Sequence, residues 1–165
     1  MKHDRLLIDG YNVLGQMKLE NLSLEDMRDV LCDHVADYAG YTGKHCTLVF
    51  DGYNVPGGKG SEYEHAGITV VFTKQDETAD VYIERLTTLL VKAGREVTVA
   101  TGDAVEQGII LGLGAYRMSA REFIRELNDT QKQRRREHPG QRKKSYLFHS
   151  IDDDTLKRLE ELRQE

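Results

Sequence analysis

Cysteine is scarce in this chain, and its pattern excludes two classes of protein. Cys32 and Cys46 are the only two cysteines, and they form neither a Cys-x-x-Cys pair nor a Cys/His spacing. Two isolated cysteines of this kind do not indicate a disulfide framework or a tetrahedral zinc site. We therefore expect reduced thiols that pack as small apolar side chains, in a protein of the cytoplasm.

Long apolar runs are also lacking. No apolar stretch approaches the roughly 20 residues that a transmembrane helix needs. The N-terminal MKHDRLLIDG has an apolar part too short for a signal peptide. With 165 residues, 39% of them hydrophobic and 31% charged, the chain is expected to fold as one soluble domain.

Positive charge is in deficit over the whole chain but concentrated in one segment. The net charge is -5, yet the segment from Arg117 to Lys144 holds ten Lys/Arg and only four Asp/Glu. This asymmetry predicts a face that binds a polyanion on an otherwise acidic body, although a solvated helix end and loop is the simpler alternative. The candidate contacts to RNA backbone phosphates are Lys132, Arg134, Arg135, Arg136, Arg142, Lys143 and Lys144.

Short apolar runs alternate with helical patterns along most of the chain. Strands are predicted at 5–9, 45–51, 68–72 and 97–100, helices after Ser23, Thr78 and Ser119, and a short helix over 104–111. Such alternation predicts βαβ units and a parallel sheet covered on both faces, that is, a three-layer α/β/α sandwich. The stretch 52–67 is predicted to be a loop, and a last helix is expected after 152–154.

The tetrapeptide Asp-Gly-Tyr-Asn occurs at 9–12 and again at 51–54, each time directly behind an apolar run. Glycine and asparagine suit a turn at the end of a strand. A turn does not require an acid at the end of a buried strand, however. Because open α/β sheets bind ligands at the carboxyl ends of their strands, we expect Asp9 and Asp51 at one edge of the sheet.

Two further acids have a similar placement. Asp80 falls in the first turn of a predicted helix, and Asp103 directly follows the fourth strand. Taken alone, Asp80 is explained by its favourable interaction with the helix dipole. Several acids at one edge repel each other unless a cation lies among them, and a set without Cys or His suits Mg²⁺ or Mn²⁺. Such an ion can activate water and stabilise the charge on a phosphodiester.

Three motifs in order carry a family resemblance: Leu7-Ile-Asp-Gly-Tyr-Asn12, Thr78-Ala-Asp80, and Val99-Ala-Thr-Gly-Asp103 followed by Glu106-Gln107. This set resembles the YacP-like NYN-domain proteins of the wider PIN-like ribonuclease class. Ser119-Ala-Arg-Glu122 is similar to the helix that follows the sheet in that family. The resemblance implies a PIN-like (NYN) nuclease domain over 1–130, with the basic segment and C-terminal helix of 131–165 as part of the same domain.

The resemblance also implies a metal-dependent endoribonuclease. Carried over residue by residue, Asp9 is the central metal ligand, Asp80 and Asp103 complete the metal shell, and Asn12 orients a phosphate or a metal-bound water. Accessory roles are expected for Asp51, Glu77 and Thr101. Family members often carry Ser or Thr where this chain has Gly102, so a hydroxyl contact has to come from Thr101 or be absent.

Two other functions remain open from the sequence. A phosphoacceptor receiver-like domain also has strand-end acids, but Asp9 lacks an adjacent acid partner and no lysine stands at a convincing final strand end. A non-catalytic RNA-binding module that keeps the fold is the second alternative. Because an acidic protein with one basic segment binds free RNA weakly, we expect single-stranded RNA or mRNA presented by a larger ribonucleoprotein such as the ribosome.

Overall fold

The structure is a computed structural model, and it describes residues 4–52 and 58–138. In these ranges the chain forms six strands and five helices, in the order β1 (Arg5–Asp9), α1 (Gly10–Gln16), α2 (Leu24–Thr42), β2 (His45–Phe50), β3 (Ser61–His65), β4 (Ile68–Phe72), α3 (Ala79–Lys92), β5 (Val97–Ala100), α4 (Ala104–Gly112), β6 (Tyr116–Met118) and α5 (Ala120–Glu137). None of these helices has the length and apolar character required to cross a bilayer.

The strands form one mixed sheet in the order β3-β4-β2-β1-β5-β6. All neighbouring strands are parallel except β3, which runs antiparallel to β4. From β1 the chain builds outward through β2 and β4, and it then crosses to the other side of β1 to add β5 and β6. The direction of growth therefore reverses between β1 and β5, and the carboxyl ends of these two strands flank the point where open α/β sheets bind ligands.

Two apolar cores cover the two faces of the sheet. Leu6 and Ile8 face the core formed with α1, α2 and α5, whereas Leu7 faces the core formed with α3 and α4. This alternation explains why the central strands read as continuous apolar runs, since both faces of the sheet are buried. The predicted three-layer α/β/α class is confirmed, with one antiparallel edge strand added to the parallel sheet.

The prediction of an uninterrupted loop over 52–67 was wrong, because β3 lies within it. The four residues Ser61–Glu64 are exposed, and Glu64 accepts a hydrogen bond from the Thr69 hydroxyl of β4. An edge strand with outward charges carries no apolar run, and such charges protect the edge from pairing with other chains. The three-residue strand β6 was also missed, because so short a segment carries little pattern.

The first copy of the repeated tetrapeptide lies within the described residues, and of the second copy only Asp51 and Gly52 do. At the first copy helix α1 begins at Gly10 with no intervening turn, which contradicts the prediction of a strand-end turn there. Both glycines are required by close neighbours: a Cβ at Gly10 would lie 2.4 Å from the Phe50 ring, and a Cβ at Gly52 would lie 2.0 Å from the Thr73 carbonyl oxygen. The lack of a side chain at each glycine therefore lets a residue of a neighbouring segment pack against the backbone that follows the strand.

The predicted starts of the longer helices are confirmed. The hydroxyls of Ser23, Thr78 and Ser119 cap α2, α3 and α5, and Glu122 completes the predicted capping box of α5. Helix α5 runs through the predicted boundary between 130 and 131 without a break. The predicted helix after 152–154 lies outside the described residues.

Candidate active site

Asp9 closes β1 and caps α1 with the same side chain. It is only 4% exposed, and its carboxylate accepts hydrogen bonds from the Asn12 backbone N–H at 3.3 Å and from Asn12 Nδ2 at 2.8 Å. Burial raises the pKa of Asp9 to about 6, and the bonds from Asn12 partly oppose that rise. A buried acid with its orientation fixed by a neighbouring amide is suited to holding a cation or a proton.

Asn12 connects the end of β1 to the loop after β5. A Cβ at Gly102 would lie 3.1 Å from Asn12 Oδ1, so the amide packs closely against the backbone of that loop. A larger side chain at Gly102 would require a small shift of this amide. The Asn12 side chain is therefore held between Asp9 and the loop that carries Asp103.

Asp80, in the first turn of α3, lies beside Asp9. The two carboxyl groups are within hydrogen-bonding reach, and each contributes to the pKa of the other. The pKa of Asp80 is raised first by burial and then by the charges of three further acids, Asp103, Glu84 and Asp51. Because Asp9 is the more deeply buried partner, it holds a shared proton more readily than Asp80.

Asp103 caps α4 and completes the acidic edge. Its Oδ1 accepts from the backbone N–H groups of Val105 and Glu106 at 2.9 and 3.3 Å. Thr101 is fully buried, and its hydroxyl accepts from the Asp103 N–H at 3.2 Å. Thr101 thus fixes the loop that presents Asp103.

The structure adds Glu106 and Glu84, which were not predicted as site residues. Glu106 is 3% exposed, and its Oε1 has no hydrogen-bond partner among the described residues. The pKa of Glu106 is raised to about 8, mainly by burial. The charge of Asp80 and a hydrogen bond with Glu84 raise it further. Glu106 belongs to the third motif of the family resemblance, but no role was predicted for it, since an acid in the first turn of a helix also suits the helix dipole.

The accessory acids differ in placement. Asp51 accepts from the Ala79 N–H at 3.3 Å, so it lies at the start of α3 and acts on the pKa of Asp80. The Glu77 carboxylate instead lies 2.9 Å from the Arg85 guanidinium in an ion pair. Asp51 is therefore close to the Asp9–Asp80 pair, whereas Glu77 forms its ion pair with Arg85.

We call this group the acidic rim: Asp9, Asp51, Asp80, Glu84, Asp103 and Glu106. Helices α1, α3 and α4 all begin at it, and the positive ends of their dipoles partly offset its charge. Within 4–52 and 58–138, no group of three or more His, Cys, Asp or Glu side chains is arranged to hold a metal. The donors nevertheless fit a hard divalent ion, since all are oxygens and one buried Glu106 oxygen lacks a partner in those ranges.

The predicted basic residues that the structure describes lie at the end of α5. Lys132, Arg135 and Arg136 are exposed, and Arg134 pairs with Asp37 of α2 at 2.8 Å. Cations in a last helical turn also favour the helix dipole. Arg142, Lys143 and Lys144 lie outside the described residues.

The sheet order and the acids at its switch point place a candidate ligand site at the carboxyl ends of the strands of this α/β domain. The family model of the YacP-like NYN domain matches residues 6–164. An uncharacterized protein YacP from Bacillus subtilis (strain 168) is 44% identical over 128 residues, which cover 75% of each chain.

Solved structures agree with this match. The crystal structure of Rae1 (YacP) from Bacillus subtilis superimposes with a TM-score of 0.69 at 37% identity, covering 98% of this chain and 95% of that one. The crystal structure of a point mutant of Rae1 gives a TM-score of 0.69 at 39% identity, covering 81% of this chain and 80% of that one. The chain therefore belongs to the YacP-like NYN-domain family, whose PIN-like nuclease domains generally use divalent metal ions.

Proposed function

We propose that this protein is an endoribonuclease that hydrolyses RNA phosphodiester bonds with Mg²⁺ or Mn²⁺. The observation that carries the proposal is the pair of carboxyl groups of Asp9 and Asp80 at the switch point of the sheet, where the buried Asp9 lies beside the half-buried Asp80. Two acids kept this close cost stability when both ionise, and a bound cation removes that cost. Membership of the NYN family supports the nuclease over the receiver-like alternative.

Asp9, Asp80 and Asp103 are the residues that would hold the ion, with Asp51 and Glu106 at the edge of the same cluster. A bound divalent ion would supply an activated water and stabilisation of the developing phosphate charge. Asn12 fixes the orientation of the Asp9 carboxylate through two hydrogen bonds, so the principal ligand is preorganised. Thr101 fixes the backbone at Asp103 in the same way.

The RNA-binding face includes Lys132, Arg135 and Arg136 at the end of α5, together with the following basic residues of the chain. Contacts of this kind bind phosphates without sequence choice. Arg134 is partly engaged by Asp37, so it contributes less than its neighbours. With a net charge of -5, the protein is repelled by free RNA outside this face, which favours mRNA presented by the ribosome as the substrate in the cytoplasm.

The test is incubation of the full chain with structured and single-stranded RNAs, with Mn²⁺ and with EDTA. We expect internal cleavage with Mn²⁺ and none with EDTA, and the Asp80→Asn variant should bind RNA without cutting it. Binding without cleavage by the wild-type protein would favour the non-catalytic RNA-binding module. Co-sedimentation with ribosomes at low salt tests the proposed presentation of substrate.

A further inference from the structure

Two arginines, one on β6 and one in the first turn of α5, carry an inference about how the substrate is held. We propose that Arg117 and Arg121 bind RNA backbone phosphates next to the acidic rim and so position the chain for cleavage. The assignment of RNA as the ligand rests on the proposed function. Neither arginine belongs to the predicted RNA-binding set at the far end of α5.

Arg117 is an exposed residue of β6 that is tied to the loop of Asp103. Its Nη1 donates to Gln107 Oε1 at 2.9 Å, and Gln107 Nε2 in turn donates to the Thr101 carbonyl oxygen at 2.8 Å. Thr101 is the residue whose hydroxyl accepts from the Asp103 N–H. Two hydrogen bonds therefore fix the Arg117 guanidinium relative to one end of the acidic rim.

Arg121 lies in the first turn of α5, beside the end of α1. Its Nε donates to Gln16 Oε1 at 3.4 Å, and Gln16 ends the short helix that Asp9 caps. Seven residues of helix span roughly 10 Å, so the Arg121 guanidinium lies at the end of α1 opposite to the one that Asp9 caps.

The start of α5 itself touches the site. A Cβ at Gly102 would lie 3.7 Å from the Ala120 Cβ and 3.1 Å from Asn12 Oδ1. Ala120 and Asn12 therefore both border Gly102, in the loop that carries Asp103. Arg117 precedes Ala120 by three positions and Arg121 follows it directly, so both arginines flank this point of the chain.

Within residues 4–52 and 58–138, neither Arg117 nor Arg121 forms an ion pair, and each donates to a neutral glutamine oxygen. Arg85 and Arg134, in contrast, are paired with Glu77 and Asp37. A guanidinium has five N–H donors, so Arg117 and Arg121 each retain several for a bidentate contact with phosphate.

A structural role for Arg117 is the competing explanation, because its hydrogen bonds reach the loop of Asp103. The two roles differ in their observables. A phosphate contact affects RNA affinity, KM and salt dependence, whereas support of the loop affects Mn²⁺ binding and kcat. Substitution by Lys also separates them, since lysine keeps the charge but loses the planar fork.

The experiment measures binding of a fluorescent single-stranded oligoribonucleotide to the full chain in EDTA at several salt concentrations. The variants are Arg117→Gln, Arg121→Gln, the double variant and Arg117→Lys. Arg95→Gln is the matched control. Arg95 is exposed, its replacement removes the same charge, and it precedes β5, at the amino ends of the strands and away from the acidic rim. Mn²⁺ binding and cleavage kinetics of each variant are measured in parallel.

We expect each Gln variant to weaken RNA binding roughly fivefold and to reduce the salt slope by about 0.7, as for one lost contact to a single strand. Arg117→Lys should restore most of the slope, and Arg95→Gln should leave it unchanged. Mn²⁺ affinity and kcat should stay near wild type while KM rises.

Arg117 and Arg121 variants that bind RNA as Arg95→Gln does would overturn the inference. Weakened Mn²⁺ binding with an unchanged salt slope would also overturn it. A wild-type protein that binds no RNA would also overturn it. If the wild type binds RNA through these arginines but does not cleave it with Mn²⁺, the proposed nuclease function fails and the phosphate site stands.

Discussion

Replacing Asp9 by Asn removes the most deeply buried carboxyl of the Asp9–Asp80 pair and keeps a side chain that can cap α1. Burial raises the pKa of Asp9 from 3.8 to about 6. In the unfolded chain this carboxyl ionises near 3.8, so between pH 3.8 and about 6 the folded state binds more protons than the unfolded state. Without metal, the Asp9 contribution therefore favours folding below this range and is lost as the pH rises through it.

The size of the effect follows from the same shift. A pKa raised from 3.8 to about 6 corresponds to about 3 kcal/mol of destabilisation at pH 7. Asn keeps an acceptor for the Asn12 backbone N–H but gives up the second one, which holds Asn12 Nδ2 at 2.8 Å, at a cost of about 1 kcal/mol. The net gain for Asp9→Asn is about 2 kcal/mol without metal, or roughly 4–8 °C in Tm.

The assay is thermal and urea unfolding of both proteins from pH 4 to pH 8, in EDTA and in Mn²⁺. The advantage of the variant should grow up to about pH 6 and then level off. With Mn²⁺ the order should reverse, because the wild type gains about 2.7 kcal/mol at 100 times its Kd and the variant gains little. A variant that is less stable than the wild type at pH 7 in EDTA, or that Mn²⁺ stabilises equally, would refute this reasoning.

Three further outcomes are expected. Asp80→Asn should raise the Tm in EDTA and lower cleavage by orders of magnitude while RNA binding persists, and a normal cleavage rate would remove Asp80 from the site. Gly52→Ala should cost about 3 kcal/mol in urea unfolding because its Cβ would lie 2.0 Å from the Thr73 carbonyl oxygen, whereas Gly40→Ala, with open space around it, should be neutral or stabilising. Alanine at all of Arg134–Arg136 should flatten the salt dependence of RNA binding and leave Mn²⁺ binding intact, and an unchanged slope would assign these residues to a solvated helix end.

The principal acids could be found from the sequence because their signals are local. Asp9 ends an apolar run, Thr78 marks the helix start that carries Asp80, and Asp103 directly follows a strand. Parallel strands bring their carboxyl ends to one edge, so local position along the chain was enough to predict that these acids share one edge. The structure places them there, and their catalytic roles stay predictions.

Other features depend on contacts between distant parts of the chain. The helix at Gly10 was missed because the reason for glycine is the ring of Phe50, forty residues away. Glu106 was noted in the sequence only as part of a motif, and its burial arises only when α3 and α4 pack side by side. Arg117 lies in a three-residue strand, and its link to Gln107 becomes visible only once β6 pairs with β5.

The ends of RNA cut by the wild-type protein give the most direct test of the nuclease assignment. A single-stranded RNA is incubated with Mn²⁺ or EDTA, Asp9→Asn serves as the control, and the chemistry of the new 5′ and 3′ ends is determined. The site motifs contain no histidine to act as a general base for the 2′-hydroxyl, so we expect hydrolysis by water. Fragments with 5′-phosphate and 3′-hydroxyl ends, formed only with Mn²⁺ and only by the wild type, are the predicted result. Ends bearing 2′,3′-cyclic phosphate, or full cleavage in EDTA, would contradict it.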